Sequence, residues 1–297
     1  MDSVIETDDL TKIWGEVTAV SDLSLRVTAE ECYAFLGRNG SGKSTTARML
    51  LDFIRPTRGS ARVLGGSGRD PAVRARVGYL PGDLNLPRAM TGAAAIDYFG
   101  ALQGGGHEAE AASLVERFGL DPGRPVRELS TGNRRKVGLV LAFMSRPELL
   151  ILDEPTSGLD PVLQEEFRKL LAERKAAAAS IWLTSHVMAE VERVADRVGL
   201  IRDGMLVSEL SMDELRRQAA NRLRFSFPGS VDAASLAGAA HVTATSVDDS
   251  AVTVTVNGPV TDVLRRAAEL GATAVETERR ELDDIFLELL DTGSPQS

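Results

Sequence analysis

The 297-residue chain is longer than most single domains, so we expect one large domain and a smaller one. Its composition, 43% hydrophobic and 26% charged residues, excludes a disordered chain and is ordinary for a globular protein. The net charge of −9, with lysines and arginines scattered along the chain, argues against nucleic acid as the main partner.

Targeting signals and cysteine usage point to the cytoplasm. The amino terminus lacks the basic and apolar segments of a signal peptide, so we expect no export. The longest apolar runs, such as residues 137–144, are well short of the ~20 residues that cross a bilayer as a helix. The single cysteine, Cys32, lies in an apolar run, which predicts a buried thiol in a reducing compartment. Any membrane association is therefore expected to come through a partner.

The first two thirds of the chain alternate strand and helix patterns. Strands are predicted at residues 20–27, 32–36, 149–152 and 180–184. Helices are predicted at residues 45–53, 134–144 and 160–174. The uninterrupted apolar character of the later strands is typical of a mostly parallel sheet buried on both faces. The fold class of this part is therefore α/β.

A hairpin and a short helix close the first domain. Residues 198–201 and 205–207 flank Asp203-Gly204, a pair that favours the tight turn of a hairpin. Ser211 followed by Glu214 matches a capping box at a helix start. We place the domain boundary just beyond this helix, which gives domains of residues 1–218 and 219–297.

The second domain is predicted to be a small α+β unit. Its elements in order are a strand at 223–227, a short helix, strands at 241–245 and 251–256, a helix at 259–270 and a strand at 272–277. This βαββαβ order is that of a ferredoxin-like unit. A last amphipathic helix is expected at 282–290, followed by a disordered polar tail at 294–297.

A glycine-rich segment between a strand and a helix predicts a phosphate site. Its residues are Gly37, Arg38, Asn39, Gly40, Ser41, Gly42, Lys43 and Ser44, followed by Thr45. This is the pattern and context of a P-loop. Glycines let backbone amides approach the phosphates, Lys43 can reach the β and γ phosphates, and Ser44 can ligate Mg²⁺. A glycine-rich turn without function is the alternative.

Two acids close the strand at 149–152. Asp153 and Glu154 follow its carboxyl end, which borders the ligand crevice in an α/β sheet. Asp153 can hold Mg²⁺ through water, and Glu154 can polarise the attacking water. Adjacent acids in this position are otherwise solvated turn residues, but the P-loop favours the catalytic interpretation.

The segment at residues 129–133 begins another helix. Ser130 alone would be interpreted as an amino-terminal cap. Together with the other motifs, the segment resembles the signature of ABC transporter ATPase subunits, and the resemblance extends over residues 5–210 in the family's motif order. It implies that Ser130 and Gly132 bind the γ phosphate of ATP held by a second copy.

The same resemblance implies roles for three further residues. Trp14 matches the aromatic that stacks on adenine, although an isolated tryptophan is more often a packing residue. Residues 157–160, ending in Asp160, resemble the loop that joins the two active sites of the dimer, and the alternative is a turn that caps the next helix. His186 matches the histidine that contacts the γ phosphate and organises the catalytic glutamate.

Two departures from the family pattern stand out. Thr131 and Asn133 replace the usual glycine and glutamine of the signature. Gly82 follows residues 77–81 at the place of a glutamine that contacts the metal and the water. Our hypothesis is that the adjacent Asp83, or a water, takes over part of that contact.

The resemblance implies an ATP- and Mg²⁺-dependent ATPase that powers a membrane exporter of drugs, antibiotics or lipids. Two copies of the chain would sandwich ATP on the inner face of the cell membrane, bound to a separate integral-membrane permease. Three rivals fit the sequence less well. A soluble ABC protein that acts on the ribosome or DNA commonly carries two fused cassettes or a long coiled-coil insertion, and this chain shows neither. Glu154 and His186 argue against a regulator that binds ATP without hydrolysis, and another P-loop enzyme, such as a small-molecule kinase, would not explain residues 129–133.

Overall fold

The protein is described from a computed structural model that covers residues 2–218, 221–229, 234–248, 251–256 and 259–278, together with Leu282, Ile285, Phe286 and Leu289. The chain divides into two compact units, the first reaching Glu209 and the second beginning at Leu210. This division falls before the helix Met212–Gln218, whereas the boundary predicted from the sequence falls after it.

An antiparallel and a mostly parallel sheet build the first part of the chain. Its strands are β1 (Ser3–Trp14), β2 (Val17–Leu23), β3 (Arg26–Thr28), β4 (Cys32–Leu36), β5 (Arg58–Val63), β6 (Val77–Leu80), β7 (Leu149–Asp153), β8 (Ser180–Ser185), β9 (Arg197–Arg202) and β10 (Met205–Ser211). In the antiparallel sheet β1 pairs with β2, β3 and β5. The other sheet has the order β10-β9-β4-β8-β7-β6. The predicted hairpin is formed by β9 and β10.

The parallel strands are buried on both faces, which explains their unbroken apolar sequences. Every residue of β4, β7 and β8 is buried. The largest core side chains are Tyr33, Phe35 and Trp182, with the Phe35 and Trp182 ring centroids 5.5 Å apart. Because β4, β8, β7 and β6 are neighbours with parallel pairing, their carboxyl ends meet at one edge of the sheet.

The helices follow the predicted pattern with shifted ends. They are α1 (Lys43–Leu50), α2 (Pro71–Arg74), α3 (Gly92–Leu102), α4 (Glu108–Arg117), α5 (Thr131–Phe143), α6 (Pro161–Ala176), α7 (Met188–Val191) and α8 (Met212–Gln218). The predicted helix at 45–53 starts and ends earlier, because Leu51 is its C-cap and Asp52 has a φ of 54°. The predicted helix at 134–144 starts earlier, because the Ser130 hydroxyl caps it.

Ion pairs join α4 to α6. The Arg117 guanidinium lies 2.6 Å from the Glu173 carboxylate and 3.5 Å from that of Glu166. Arg174 pairs with Glu110. These contacts connect α4 to the helix that follows β7, and their partners do not include Lys43, Asp153, Glu154 or His186.

The second unit contains β11 (Asn221–Ser226), α9 (Ala234–Ala237), β12 (Val242–Asp248), β13 (Ala251–Val256), α10 (Thr261–Glu269) and β14 (Ala274–Glu278). Its sheet has the order β12-β13-β11-β14 with antiparallel pairing, the βαββαβ arrangement of a ferredoxin-like unit. The core packs β11 and β13 against the helices through residues such as Phe225, Val254 and Val263.

The ends of the second unit are only partly described. At its start, the Ser211 hydroxyl accepts from the Glu214 amide and the Glu214 carboxylate accepts from the Ser211 amide, as the capping-box pattern predicts. Most of the predicted helix at 282–290 and the whole tail at 294–297 lie outside the described residues. Leu282, Ile285 and Phe286 are helical and buried.

Candidate functional site

The glycine-rich turn after β4 is shaped by positions that admit only glycine. Gly40 and Gly42 have φ of +82° and +109°, which side-chain-bearing residues rarely adopt. A Cβ at Gly42 would lie 2.5 Å from the Ala19 carbonyl oxygen, and one at Gly37 would lie 2.3 Å from the Ile201 carbonyl oxygen. The turn is therefore pressed against β2 and β9, and it runs into the amino terminus of α1, where anions are favoured.

Lys43 places a positive charge inside this turn. Its side chain is 5% exposed, and its ammonium donates to the carbonyl oxygens of Gly37 at 2.7 Å and Arg38 at 3.2 Å. The Ser41 hydroxyl is buried and has no hydrogen-bond partner among the residues described. A buried unsatisfied hydroxyl beside a lysine and a helix amino terminus fits a site for phosphate oxygens. Ser44 and Thr45, which follow, are half-buried.

Asp153 ends β7 and is held by two neighbouring segments. It is 1% exposed. Its Oδ1 accepts from the Thr184 hydroxyl at 2.6 Å, and its Oδ2 accepts from the Gly82 amide at 3.2 Å. The Thr184 hydroxyl also accepts from the Glu154 amide at 3.0 Å. Thr184 was not singled out from the sequence, because a threonine inside a buried strand carries no local signal of such a role.

Glu154 contacts both of the other predicted catalytic residues. Its Oε1 lies 3.2 Å from the Lys43 ammonium, and its Oε2 lies 2.8 Å from Nδ1 of His186. Its side chain is 18% exposed, whereas that of His186 is 48% exposed. Its backbone has a φ of 48°, a strained conformation for a residue with a side chain. The structure thus brings together Lys43 from the start of α1, Glu154 from the end of β7 and His186 from the end of β8.

Arg135 on α5 is a buried charge that the sequence analysis did not identify. It is 5% exposed, and burial lowers the pKa of its guanidinium while the nearby Asp153 and Glu154 charges oppose that shift. Its N–H groups donate to the carbonyl oxygens of Pro81 (2.7 Å), Gly82 (3.1 Å), Asp153 (2.6 Å), Glu154 and Pro155 (3.3 Å). Spacing held a signal, because Arg135 precedes the buried Leu139 by four positions on one helix face.

The turn after β6 contacts Asp153 through its backbone. A Cβ on Gly82 would lie 2.8 Å from Asp153 Oδ2, so glycine lets the carboxylate approach the backbone closely. The hydrogen bond comes from the Gly82 amide, whereas Asp83 is exposed. The assignment of part of the missing glutamine's role to Asp83 stays a prediction.

The other two predicted loops lie side by side at the protein surface. The Ser130 hydroxyl caps α5 by accepting from the Asn133 amide at 3.2 Å, and Asp160 Oδ1 caps α6 by accepting from the Leu163 amide at 3.0 Å. A Cβ on Gly132 would lie 2.9 Å from the Gly158 carbonyl oxygen. Both capping interpretations are therefore observed, and the roles of Ser130, Gly132 and Asp160 toward a second copy stay predictions.

Trp14 is exposed at the end of the β1–β2 hairpin. Its backbone is paired with that of Val17 in the β1–β2 ladder, and 51% of its surface is accessible. The Lys12 ammonium lies 4.1 Å from the ring centroid. Ala19 in β2 borders the glycine-rich turn through its contact with Gly42. The hairpin that carries Trp14 is thus continuous with one wall of the phosphate cradle.

Comparisons with known proteins agree with this geometry. The ABC transporter family profile matches residues 20–157. The bacitracin transport ATP-binding protein BcrA of Enterococcus faecalis is 31% identical over 99% of this chain and 98% of its own length. The daunorubicin/doxorubicin resistance ATP-binding protein DrrA of Streptomyces peucetius is 32% identical over 98% of this chain and 93% of its own.

Solved structures give the same result for the fold. An ATP-binding subunit of an ABC transporter is 28% identical with a TM-score of 0.67, over 72% of this chain and 92% of that one. A dimeric ATP-binding cassette in a post-hydrolysis state with ADP and Pi is 19% identical with a TM-score of 0.64, over 70% of this chain and 98% of that one. The second likeness concerns the fold alone.

The chain belongs to the ATP-binding subunits of the ABC transporter family. The predicted family and the α/β fold class are confirmed. As a member of this family, the chain binds ATP and hydrolyses it to ADP and phosphate. Within the described part of the chain, every helix is too short or too polar to span a bilayer.

Proposed function

We propose that this ATPase drives a membrane exporter whose permease is a separate protein. The observation that carries the ATPase chemistry is the pair of contacts that the Glu154 carboxylate makes with Lys43 and His186 at one edge of the parallel sheet. The export step is supported by DrrA and BcrA, whose names describe drug resistance and bacitracin transport and which match this chain over almost its whole length. Drugs, antibiotics and lipids are the classes of cargo we expect.

In this proposal, Glu154 polarises the attacking water while Lys43 and His186 stabilise the charge on the transferred phosphoryl group. Ser44 and Asp153 would hold Mg²⁺, which when bound neutralises charge on the phosphate oxygens. Both carboxylate oxygens of Asp153 already accept a hydrogen bond, which favours contact with the metal through water. Asp153, Glu154 and His186 lie at the ends of β7 and β8, and Lys43 and Ser44 begin α1, so the fold holds these groups in place before the substrate arrives.

The remaining site residues divide between two copies of the chain. In each copy the phosphates would lie on Gly37, Asn39, Gly40, Ser41, Gly42, Lys43, Ser44 and Thr45, with adenine on Trp14. The second copy, packed head to tail, would supply Ser130, Gly132 and Asp160. Their surface exposure and the contact between residues 132 and 158 support a shared outward-facing patch.

A groove on the first unit is a suitable place for the permease. It is lined by the end of α1, the turn after β6, and helices α3 and α5, including Phe53, Tyr79, Asp83 and Phe99. Phe53 is 58% exposed and lies with its ring centroid 5.4 Å from that of Tyr79. The exposed Phe53 side chain favours a partner segment with an apolar surface, and the groove lining carries both signs of charge, with Arg48 and Arg74 as well as Asp83. Contact there would place the chain on the cytoplasmic face of the membrane.

The two predicted domains would have different roles. Residues 1–218 would carry the ATP site, and residues 219–297 would be an accessory domain that supports the dimer, regulates it or has a purely structural role. Lys43, Glu154 and His186 all lie in the first part.

Purification of the tagged chain from gently solubilised native membranes tests the exporter proposal. A polytopic membrane protein recovered in stoichiometric amount would support it, and sequence identification of that protein would open the way to the cargo. Recovery of the chain only in the soluble fraction, with ribosomes or DNA-repair proteins, would favour the soluble alternative. A Lys43→Ala chain serves as the control, because its permease groove is intact while its phosphate site is damaged.

A further inference from the structure

The bonding of Arg135 uses the full donor capacity of its side chain. A guanidinium carries five N–H groups, and here the five bonds go one each to five backbone carbonyl oxygens. Lysine has three donors on one atom, and glutamine has two, so neither can reproduce this pattern. A buried charge that contacts only backbone carbonyls fixes the course of the backbone around it.

The segments that Arg135 joins are the ends of two neighbouring strands. The pairing of β6 with β7 stops at Leu80 and Leu152. Arg135 contacts the chain immediately beyond this point, at residues 81–82 on one side and 153–155 on the other. The Gly82 amide adds a link to Asp153 Oδ2 at 3.2 Å. Hydrogen bonds from the Arg135 guanidinium and to the Asp153 carboxylate therefore connect the two segments beyond the last backbone pairing of β6 and β7.

Glu154 depends on this support more than its neighbours do. Its φ of 48° is unfavourable, and such a conformation persists only when its surroundings hold it. The Thr184 hydroxyl accepts from its amide, and the Arg135 guanidinium donates to its carbonyl oxygen. With the backbone fixed on both sides, the carboxylate reaches Lys43 and His186.

We propose that Arg135 is a positioning residue for ATP hydrolysis, which holds the Glu154 carboxylate in its working geometry and ties it to the turn at residues 81–82. This inference rests on the proposed role of Glu154 in polarising water. Arg135 makes no contact with the phosphate turn itself in the bonds described, so it affects turnover rather than nucleotide binding.

Kinetics of the purified full-length chain test this role. For Arg135→Gln we expect kcat to fall about 10- to 100-fold, because small displacements of a catalytic group cost rates of this order. KM for ATP and the Kd of a fluorescent ATP analogue should stay within about threefold of wild type, since Lys43 and the glycine turn are untouched. Arg135→Lys should recover part of kcat, because it keeps the charge with fewer donors.

Arg117→Gln is the matched control. It removes an arginine with several hydrogen bonds to α6, away from the site. We expect Arg117→Gln to have a lower Tm and an unchanged kcat. A fall in kcat in Arg135→Gln, measured at a temperature at which both variants are folded, therefore reflects lost positioning and not lost stability. If the kcat of Arg135→Gln equalled that of Arg117→Gln, the proposal would be overturned.

A second variant covers the case in which Arg135→Gln fails to fold. Arg135→Lys keeps the positive charge but has three donors on one atom, so it cannot reproduce the five bonds, and a kcat below that of wild type with unchanged Kd is expected. Wild-type kcat in Arg135→Lys would contradict the proposal. If Glu154→Gln hydrolyses ATP slowly but Arg135→Gln has wild-type kcat, only the positioning role of Arg135 is overturned. If Glu154→Gln itself has wild-type kcat, the proposed role of Glu154 is overturned too.

Discussion

Replacing Glu154 with glutamine removes a negative charge while keeping the size of the side chain. In the structure this charge is 3.2 Å from the Lys43 ammonium, in a pair whose side chains are 5% and 18% exposed. Lys43 keeps its hydrogen bonds to the carbonyl oxygens of Gly37 and Arg38, so we expect the folded state to lose only about 1–2 kcal/mol of stability. The variant should fold and bind ATP.

Hydrolysis should be affected far more than binding. A positioned general base contributes about 10²- to 10⁴-fold to a rate, and glutamine cannot accept the proton. The expected fall in kcat therefore corresponds to about 3–5 kcal/mol of transition-state stabilisation. Phosphate release under saturating ATP and Mg²⁺ measures kcat, and a fluorescent ATP analogue measures Kd.

A carboxylate outside the site provides the control. Glu173→Gln removes a charge that pairs with Arg117, and we expect its kcat to equal that of wild type. If Glu154→Gln retained kcat within about twofold of wild type, Glu154 could not be the group that activates water. The contacts of Glu154 with Lys43 and His186 would then need another explanation.

Three further outcomes follow from the geometry. In steady-state assays, Trp14→Ala should raise KM for ATP about 2- to 10-fold, because ring stacking is lost, and should leave kcat unchanged. The KM of Trp14→Phe should be closer to that of wild type. An unchanged KM in Trp14→Ala would exclude Trp14 from the adenine site. Asp83→Ala should lower Mg²⁺-dependent ATPase activity if Asp83 replaces the missing glutamine, and unchanged activity would exclude it. Burial raises the pKa of the Cys32 thiol from 9.0 to about 12, so a disulfide reagent at pH 9 should label the chain only after denaturation. Because the thiol ionises at lower pH in the unfolded chain, this group makes the folded state less stable as the pH rises from about 9 to 12. Rapid labelling of the folded protein would contradict the burial of Cys32.

Sequence patterns located the parts of the site that are formed locally. The turn from Gly37 to Ser44 and the acids Asp153 and Glu154 follow buried strands, so their position at the sheet edge could be inferred from strand order alone. The capping box at Ser211 was equally accessible, because both partners lie within four residues.

Local sequence patterns do not predict the contacts between segments that are distant in the chain. Arg134, Arg135 and Lys136 are consecutive, and although helical spacing places Arg135 on the face of buried Leu139, only tertiary packing determines which carbonyl oxygens its guanidinium meets. Gly82 was interpreted as the loss of a glutamine, whereas its amide hydrogen bond to Asp153 depends on the approach of a neighbouring strand. The sequence indicates which residue types are present, and tertiary packing decides which backbone groups they meet.

The measurement that tests the two-sided ATP site most directly is sedimentation velocity of the Glu154→Gln chain. With hydrolysis slowed, ATP should hold two copies together, so we expect dimers with ATP and monomers without it. Adding Ser130→Arg, which places a large side chain on the surface offered to the second copy, should abolish the ATP-dependent dimer while the Kd for ATP in the monomer is kept. Monomers in the presence of ATP, or dimers that Ser130→Arg does not disturb, would contradict the account.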